Sequence, residues 1–168
     1  KILLGLRLAA PVLRCANVEV RSGVAPSGGF VAQPALLQTR VEVLNEDASQ
    51  LARMKESSRQ QTMQGLRLAG LEVSPARSLS DLHLSHHLVS ETRRRKGSLT
   101  YPRSLFEGLL PWIESGRGLV EVARLDGRAI ATTVTLCWRK TAVYLYGGSL
   151  GDDKALRARP YNVLLFRA

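Results

Sequence analysis

A short stretch rich in tyrosine and glycine, near the C-terminal end, carries residue types that could do chemistry. A group-transfer reaction needs a group that moves a proton and a donor that stabilises a developing negative charge. Tyr144 and Tyr146 alternate along a predicted strand, so we expect both phenols on one face, and Ser149 joins them as a candidate catalytic residue. Gly147 and Gly148 would let a substrate approach the backbone closely. The alternative is that the tyrosines only complete the packing of a sheet.

Three other residues are candidates for binding an anion. Lys55 and Arg59 are four residues apart, so on a helix they share one face. Such a pair suits a phosphate group, and the alternative is an ordinary solvated basic face. Asn162 lies near the start of a predicted helix, where free backbone amides favour anions. It would serve equally well as a simple helix cap.

The sequence predicts no metal site. His83 and His87 are four residues apart, but no Glu or Cys is arranged around them as zinc would require. Asp152 and Asp153 form a lone acidic pair beside a glycine, and such pairs usually face solvent. The two cysteines are far apart and lack a metal-ligand spacing. We expect reduced thiols in a cytoplasmic protein, with the inner face of the membrane as the alternative location.

The charge balance favours an anionic partner. The chain of 168 residues has 24 Lys and Arg against 14 Asp and Glu, a formal net charge of +10. This excess suits a nucleic acid, a phosphorylated lipid or a nucleotide-bearing cofactor, and it does not choose among them. No apolar run approaches the roughly 20 residues that a membrane span needs. Neither end of the sequence reads as a natural terminus, and the oligomeric state is left open.

Local signals divide the chain into two parts. A loop rich in Gly, Pro and Ser indicates an N-terminal remnant and loop over residues 1–36, followed by a main domain over residues 37–168. Leu37 to Leu44 alternates like a strand. A helix is predicted next, from an Asn45 cap to about Ala69, with a weak middle at Ser57 and Ser58.

The remaining elements follow from end signals and alternation. A second helix is predicted from a Ser80 cap to a basic run before Gly97, and a third begins at Pro102 and is ended or kinked by Pro111. A last helix starts at Pro160. Four strands are predicted: Leu71 to Ser74, Leu119 to Leu125, Arg128 to Trp138 and Thr141 to Ser149, with a hairpin turn at Asp126-Gly127. This order predicts an α+β fold, a mostly antiparallel sheet flanked by helices.

The order of elements and several motifs resemble the GNAT fold, and within it the FemAB-like group. The motifs lie in this order along the chain: Leu51 to Arg59, Leu68 to Val73, Thr100 to Phe106, Asp126 to Ala131, Tyr144 to Ser149, and Pro160 to Leu165. Two departures concern the motifs themselves. Gln60 to Gln64 replaces a stretch where the family commonly has a second basic residue, and Tyr161 splits the family's Pro-Asn pair. The family also continues past the last helix with a strand and helix, so we expect an incomplete, C-terminally truncated domain.

The resemblance implies an acyl- or aminoacyl-transferase that forms an amide on an amine of a cell-envelope or exopolysaccharide precursor. Its acyl donor would be aminoacyl-tRNA or acyl-CoA, with no metal. Substrate binding would fall to Lys55, Arg59, Tyr101, Gly147, Gly148 and Asn162, and catalysis to Tyr144, Tyr146 and Ser149. A pyrophosphate-binding Gln/Arg-x-x-Gly-x-Gly/Ala loop is missing ahead of the last helix, which argues against acetyl-CoA.

Two alternatives stay open. One is an acetyl-CoA-dependent GNAT enzyme acting on a small amine or sugar. The other is a non-catalytic module that keeps the fold and binds nucleic acid or a partner protein through its positive charge. RNA-binding sheets usually stack bases on exposed aromatics, and aromatic residues make up only 5% of this chain. We therefore rank the binding module last.

Overall fold

A computed structural model describes residues 46–139 and 141–167, and the statements below concern these residues. The strand predicted over Leu37 to Leu44, the Asn45 cap and the domain boundary at residue 36 lie outside them. The described elements, in chain order, are α1 Asp47–Arg53, α2 Glu56–Leu66, β1 Leu71–Pro75, α3 Leu79–Arg95, α4 Arg103–Glu107, α5 Leu110–Glu114, β2 Gly118–Leu125, β3 Arg128–Trp138, β4 Thr141–Ser149, α6 Asp153–Arg157 and α7 Pro160–Arg167.

The four strands form one sheet in the order β1-β2-β3-β4, and each neighbouring pair is antiparallel. The β2–β3 hairpin turns at Asp126 and Gly127, whose φ angles are 52° and 80°. Positive φ at both central residues is what a two-residue type I′ turn requires, and Asp-Gly meets that need at low cost. The predicted run of three antiparallel strands and its hairpin turn are confirmed, as is the α+β class.

Helices cover both faces of the sheet. On one face, α3, α4 and α5 bury a cluster that includes Leu82, Val89, Phe106, Val120 and Val134. On the other, α6 and α7 bury a second cluster, made of Ala123, Leu125, Ile130, Ala131, Ala155, Ala158 and Leu164. We call these the α3 face and the α7 face. Because the middle of β2 and β3 is covered on both faces, the polar residues Glu121, Thr132, Thr133 and Thr135 are buried there.

The first predicted helix is wrong in its extent. It is two helices, α1 and α2, separated at Met54 and Lys55, whose ψ angles of 148° and 144° are extended. Ser57 and Ser58, where a break was expected, lie inside α2. The second helix begins at Glu56 instead. The Glu56 carboxylate lies in the first turn, where the positive end of the helix dipole stabilises a negative charge.

The cap of α3 is Ser78, and the prediction of Ser80 is wrong. The Ser78 hydroxyl accepts from the Asp81 N–H at 3.2 Å, and the Asp81 carboxylate accepts from the Ser78 N–H at 3.2 Å. This reciprocal pair is a capping box. A hydrogen bond from the Arg77 N–H lowers the pKa of Asp81, more than partial burial raises it. The predicted basic C-terminal turn before Gly97 is confirmed, and Gly97 has a φ of 65°.

The remaining helices are shorter than predicted or were not predicted. Pro102 is the N-cap of α4 and not its first residue. Pro111 does not end a helix but lies in the first turn of the separate helix α5, where its missing N–H has no partner to lose. The one-turn helix α6 was missed, and its N-cap Asp152 accepts from the Ala155 N–H at 2.8 Å. The start of α7 at Pro160 is confirmed.

Candidate functional site

A β-bulge in β4 sets the geometry of the candidate site. Tyr146 pairs with Val134 on β3 and Tyr144 pairs with the next residue, Thr135, so Leu145 has no partner of its own. A bulge of one residue reverses the alternation of side chains across it. The expectation that Tyr144 and Tyr146 share a face is therefore wrong, because the two phenols lie on opposite faces of the sheet.

Tyr146 lies on the α3 face, in an aromatic cluster. Its ring centroid is 4.6 Å from that of Tyr101 and 6.0 Å from that of Phe106. The Arg93 guanidinium lies 4.3 Å over the Tyr101 ring, and its Nη1 donates to the Tyr101 hydroxyl at 3.1 Å. Burial raises the pKa of Tyr146, with a further rise from Tyr101 and an opposing effect of Arg93. Tyr101 is thus held between a cation and a second phenol.

Tyr144 lies on the α7 face, above Gly147. Its hydroxyl fills the space that a side chain at Gly147 would occupy, and the Tyr161 ring of α7 closes the same space from the other side. Burial raises the pKa of Tyr144. Burial also raises the pKa of Tyr161 to about 12, and the nearby Tyr144 raises it further. Interactions with the side chains of Ser149 and Thr92 and the charge of Arg95 oppose this rise in pKa. Both phenols are therefore protonated at neutral pH.

The two glycines of β4 differ in what covers them. A side chain at Gly148 would collide with the backbone of Leu88 and Val89 on α3, so the helix fills the space on that side of the strand. Substrate binding by Gly148 stays a prediction. Gly147 instead faces Tyr144 and Tyr161, which we call the tyrosine pair, on the α7 face that carries the candidate site.

The outer edge of β4 is open beside Gly147. No strand pairs with β4 on the side away from β3 within the described part of the chain. At Ser149 the Thr92 hydroxyl covers this edge, accepting from the Ser149 N–H at 2.7 Å and donating to its carbonyl at 3.1 Å. By the two-residue repeat of antiparallel strands, Gly147 directs its own N–H and C=O to the same edge. These groups are open to a ligand.

Glu121 is the functional candidate that sequence reasoning missed. It lies on β2, in register with Thr133 of β3, which is in turn in register with Gly147 of β4, so its Cα is about 10 Å from that of Gly147 across two strand spacings. The residue is 7% exposed, and its Oε2 has no hydrogen-bond partner among the described residues. Burial raises its pKa, against the opposing charge of Arg167. The helix cover on both faces is what buries this carboxylate, and no local sequence signal marks it.

Comparison with known families decides what this arrangement belongs to. The family model described as an acetyltransferase (GNAT) domain matches residues 40–168. The chain belongs to the GNAT acetyltransferase domain family. Among curated proteins, none matches it significantly.

The solved structure of FemX has a similar fold over most of this chain. FemX superposes with a TM-score of 0.64 at 14% sequence identity, over 73% of this chain and 47% of the FemX chain. An acetyltransferase from Streptococcus agalactiae has a TM-score of 0.42 at 18% identity, over 59% of this chain and 66% of that one. At such identity the likeness to FemX shows the fold alone. The GNAT domain described here spans about half the length of the FemX chain.

The predicted anion pair lies elsewhere in the GNAT domain. Lys55 is the N-cap of α2, exposed and extended, so it does not share a helical face with Arg59 as expected. Arg59 forms an ion pair with Glu56. It also lines a surface groove of about 430 Å³ with Met63 and Arg67. No hydrogen bond or ion pair joins this pair to β4 within residues 46–139 and 141–167, and phosphate binding there stays a prediction.

Asn162 is the third residue of α7, next to the tyrosine pair. Its backbone N–H donates to the Arg159 carbonyl at 3.1 Å, so that amide is not free for an anion. Only the half-buried side chain is left to bind a substrate. Of the sequence-predicted residues, Tyr144, Gly147 and Ser149 are the ones that the GNAT domain brings together around Tyr161.

His83 and His86 have protein partners. His83 Nε2 lies 2.9 Å from Glu107 Oε1, and its Nδ1 lies 2.6 Å from Arg103 Nη2. His86 Nε2 lies 2.9 Å from the Tyr101 carbonyl. Within the described ranges, no group of three His, Cys, Asp or Glu is placed to hold a metal ion. The same ranges contain no helix of the length and hydrophobicity that crossing a membrane demands.

Proposed function

We propose that this GNAT domain is part of an acyl- or aminoacyl-transferase that forms an amide on an amine of a cell-envelope or exopolysaccharide precursor. The observation that carries the proposal is the bulged, open edge of β4, where Gly147 lies beneath Tyr144 and Tyr161. An open strand edge next to a glycine gives an acyl group room to reach backbone N–H donors. The envelope substrate rests on the resemblance to the FemAB-like group.

The chemistry divides among three groups. Glu121, whose pKa burial raises, first accepts a proton from the ammonium through water. The neutral amine then attacks the carbonyl carbon of the acyl ester or thioester, forming a C–N bond, and the Gly147 N–H stabilises the resulting oxyanion. The C–O or C–S bond to the carrier then breaks, and Tyr144 donates its phenolic proton to the leaving oxygen or sulfur. The Tyr144 phenolate takes the second proton that the nitrogen loses as the amide forms.

Substrate binding by Lys55, Arg59, Tyr101 and Asn162 and catalysis by Tyr146 and Ser149 are kept as proposals of lower rank. Tyr146 lies on the α3 face, away from Gly147, and the backbone of Ser149 is bonded to Thr92. Tyr101 is already engaged by Arg93. We therefore assign the bond-making steps to the α7 face. Because aminoacyl-tRNA and acyl-CoA are both cytoplasmic, we place the reaction there, with the inner membrane face for a lipid-linked acceptor.

The second candidate function is acetyl-CoA-dependent N-acetylation of a small amine or sugar. The description of the matching family model, an acetyltransferase domain, favours it. The two functions use the same open edge and differ in the carrier of the acyl group. A non-catalytic binding module is the third outcome, and only the net charge of +10 supports it.

The test compares donors by thermal shift and by transfer. A ligand that binds only the folded protein raises the melting temperature, so acetyl-CoA and aminoacyl-tRNA are each added to the wild-type protein and to Tyr144→Phe. Label transfer to an amine acceptor is then measured for the donor that shifts. We expect a shift with charged tRNA and transfer that falls in Tyr144→Phe. A shift with acetyl-CoA alone supports the second candidate, and salt-dependent tRNA binding without transfer overturns both enzymatic readings.

A further inference from the structure

Both tryptophans of the chain are exposed, and both lie in elements that meet at one end of the sheet. Trp112 is on α5 and is 40% exposed, and Trp138 ends β3 and is 59% exposed. Val143, on the neighbouring strand β4, is 47% exposed. Large apolar side chains that are exposed singly are ordinary, but a contiguous group of them marks a surface that contacts a partner.

The strand register brings these side chains together on the α3 face. Gly118 of β2 pairs with Leu136 of β3, and Leu136 pairs with Val143 of β4. A Cβ at Gly118 would lie 3.1 Å from the Trp112 Cβ, so the Trp112 side chain starts directly above this row. Leu136 packs against the core of the α3 face, and Trp138, two residues further along β3, points to the same face. We call Trp112, Leu136, Trp138 and Val143 the tryptophan surface.

Two arginines border the tryptophan surface. The Arg117 guanidinium lies 5.4 Å from the centre of the Trp112 ring. The Arg117 carbonyl accepts from the Cys137 N–H at 2.8 Å, which places Arg117 beside the end of β3. Arg139 directly follows Trp138 in the turn between β3 and β4. Both arginines are exposed, and no carboxylate pairs with either of them in the part of the chain that the structure describes.

We propose that the tryptophan surface docks the protein on an anionic lipid bilayer. Indole rings favour the boundary between headgroups and acyl chains, because each joins an apolar body to a polar N–H. The bordering arginines add attraction to anionic headgroups, and the net charge of +10 acts in the same direction. A second copy of the chain fits this surface less well, because a two-fold contact would bring the same unpaired arginines together.

Docking through this surface would hold the candidate site close to the membrane. Gly147 follows Val143 by four residues along β4, a distance of at most about 13 Å. The headgroup layer of a bilayer is itself roughly 5–8 Å deep. An amine carried by a lipid headgroup would therefore have a short path to the open edge of β4. This lipid-linked acceptor rests on the proposed function, but membrane binding does not.

The experiment measures sedimentation of the protein with vesicles of phosphatidylglycerol and phosphatidylcholine in equal amounts, and with vesicles of phosphatidylcholine alone. Tryptophan emission is followed in parallel, because both tryptophans of the chain lie in this surface.

Each variant has a matched control on the α7 face. Trp138→Ala removes an exposed ring, and Leu165→Ala removes a side chain of similar exposure, 53%, from α7. Arg117→Gln removes a bordering charge, and Arg157→Gln removes the same charge from an exposed position on α6. Circular dichroism and the melting temperature of each variant check that it is folded.

We expect the wild-type protein to sediment with the anionic vesicles, with its emission shifted to the blue as the indoles leave water. Binding should weaken about ten-fold in Trp138→Ala and about five-fold in Arg117→Gln. It should change less than two-fold in Leu165→Ala and Arg157→Gln. Vesicles of phosphatidylcholine alone should bind the protein more weakly, because they offer no net negative charge to the arginines.

Three outcomes would overturn the proposal: no binding to anionic vesicles, equal effects of Trp138→Ala and Leu165→Ala, or equal binding to the two kinds of vesicle. Self-association of the free protein that Trp138→Ala abolishes would assign the surface to a second copy, which also overturns it. Vesicle binding that depends on Trp138 without acyl transfer would leave the docking surface standing and remove the proposed function. Acyl transfer without vesicle binding would do the reverse.

Discussion

The Tyr144 hydroxyl occupies the space that a side chain at Gly147 would fill, so the position of the phenol depends on the glycine beneath it. The residue that exposes the strand edge is thus also the residue that seats the proposed acid. Gly148, one position further, has a different role, because there the missing side chain admits the backbone of α3.

Gly147→Ala and Gly148→Ala are expected to fail in different ways. An alanine at 147 displaces the flexible Tyr144 side chain, so acyl transfer should fall at least ten-fold while the melting temperature changes little. An alanine at 148 meets helix backbone, and such overpacking costs about 1–3 kcal/mol of unfolding free energy. Urea unfolding and transfer assays on both variants check this. Equal loss of stability in the two would show that Gly147 serves packing alone.

Glu121→Gln is expected to stabilise the protein while reducing its activity. Burial raises the pKa of Glu121 in the folded state, so the folded protein holds the proton more tightly than the unfolded chain. The contribution of Glu121 to the unfolding free energy is therefore largest below the unfolded pKa of about 4.3. It falls as the pH rises through the raised pKa of the folded state. Glutamine removes that loss, which should raise the melting temperature at pH 7 by about 2–4 °C if the gain is near 1 kcal/mol, with little change at pH 4.

Glu72→Gln is the matched control for that prediction, because Glu72 is an exposed carboxylate on the neighbouring strand β1. It should change neither the melting temperature nor the transfer rate. If Glu121→Gln lowers the melting temperature at pH 7, the carboxylate has a stabilising partner and the argument for a proton acceptor is lost.

Local signals in the sequence predicted the elements, and long-range packing decided the site. Asp126 and Gly127 define a hairpin by their own backbone preferences, so that turn was predictable. The bulge at Leu145 was not, because it depends on the pairing of β4 with β3. Strict alternation put Tyr144 and Tyr146 on one face, and the single extra residue separates them.

The burial of Glu121 also depends on contacts between elements that are distant in sequence. In β2, Glu121 lies between Val120 and Val122. This alternation is typical of a sheet with one buried face and one solvent-exposed face, on which Glu121 would be exposed. Only the packing of α7 on the second face of the sheet turns that position into a buried one. A prediction of helices on both faces would have been the signal that a polar residue here deserved scrutiny.

Tyr161 is expected to make the protein sensitive to alkali. Its folded pKa is about 12, above the unfolded value of about 10. The stability it contributes is full below pH 10 and is lost as the pH rises through 12. Phenylalanine has no phenolic proton to lose, so Tyr161→Phe should flatten the fall of the unfolding free energy between pH 8 and pH 11. Denaturant unfolding at the two pH values tests this, and an equally steep fall in the variant would assign the alkaline sensitivity to other groups.

Ser78 and Ser80 give a stability test of the α3 cap. Ser78 forms both bonds of the capping box with Asp81, so Ser78→Ala should cost about 1 kcal/mol of unfolding free energy. Ser80 lies in the first turn of the helix and is exposed, so Ser80→Ala should cost less than about 0.5 kcal/mol. Both serines precede Asp81, and the spacing of three from Ser78 to Asp81 is the feature that selects the cap. Urea unfolding of the two variants decides the matter, and the larger loss in Ser80→Ala would move the start of the helix by two residues.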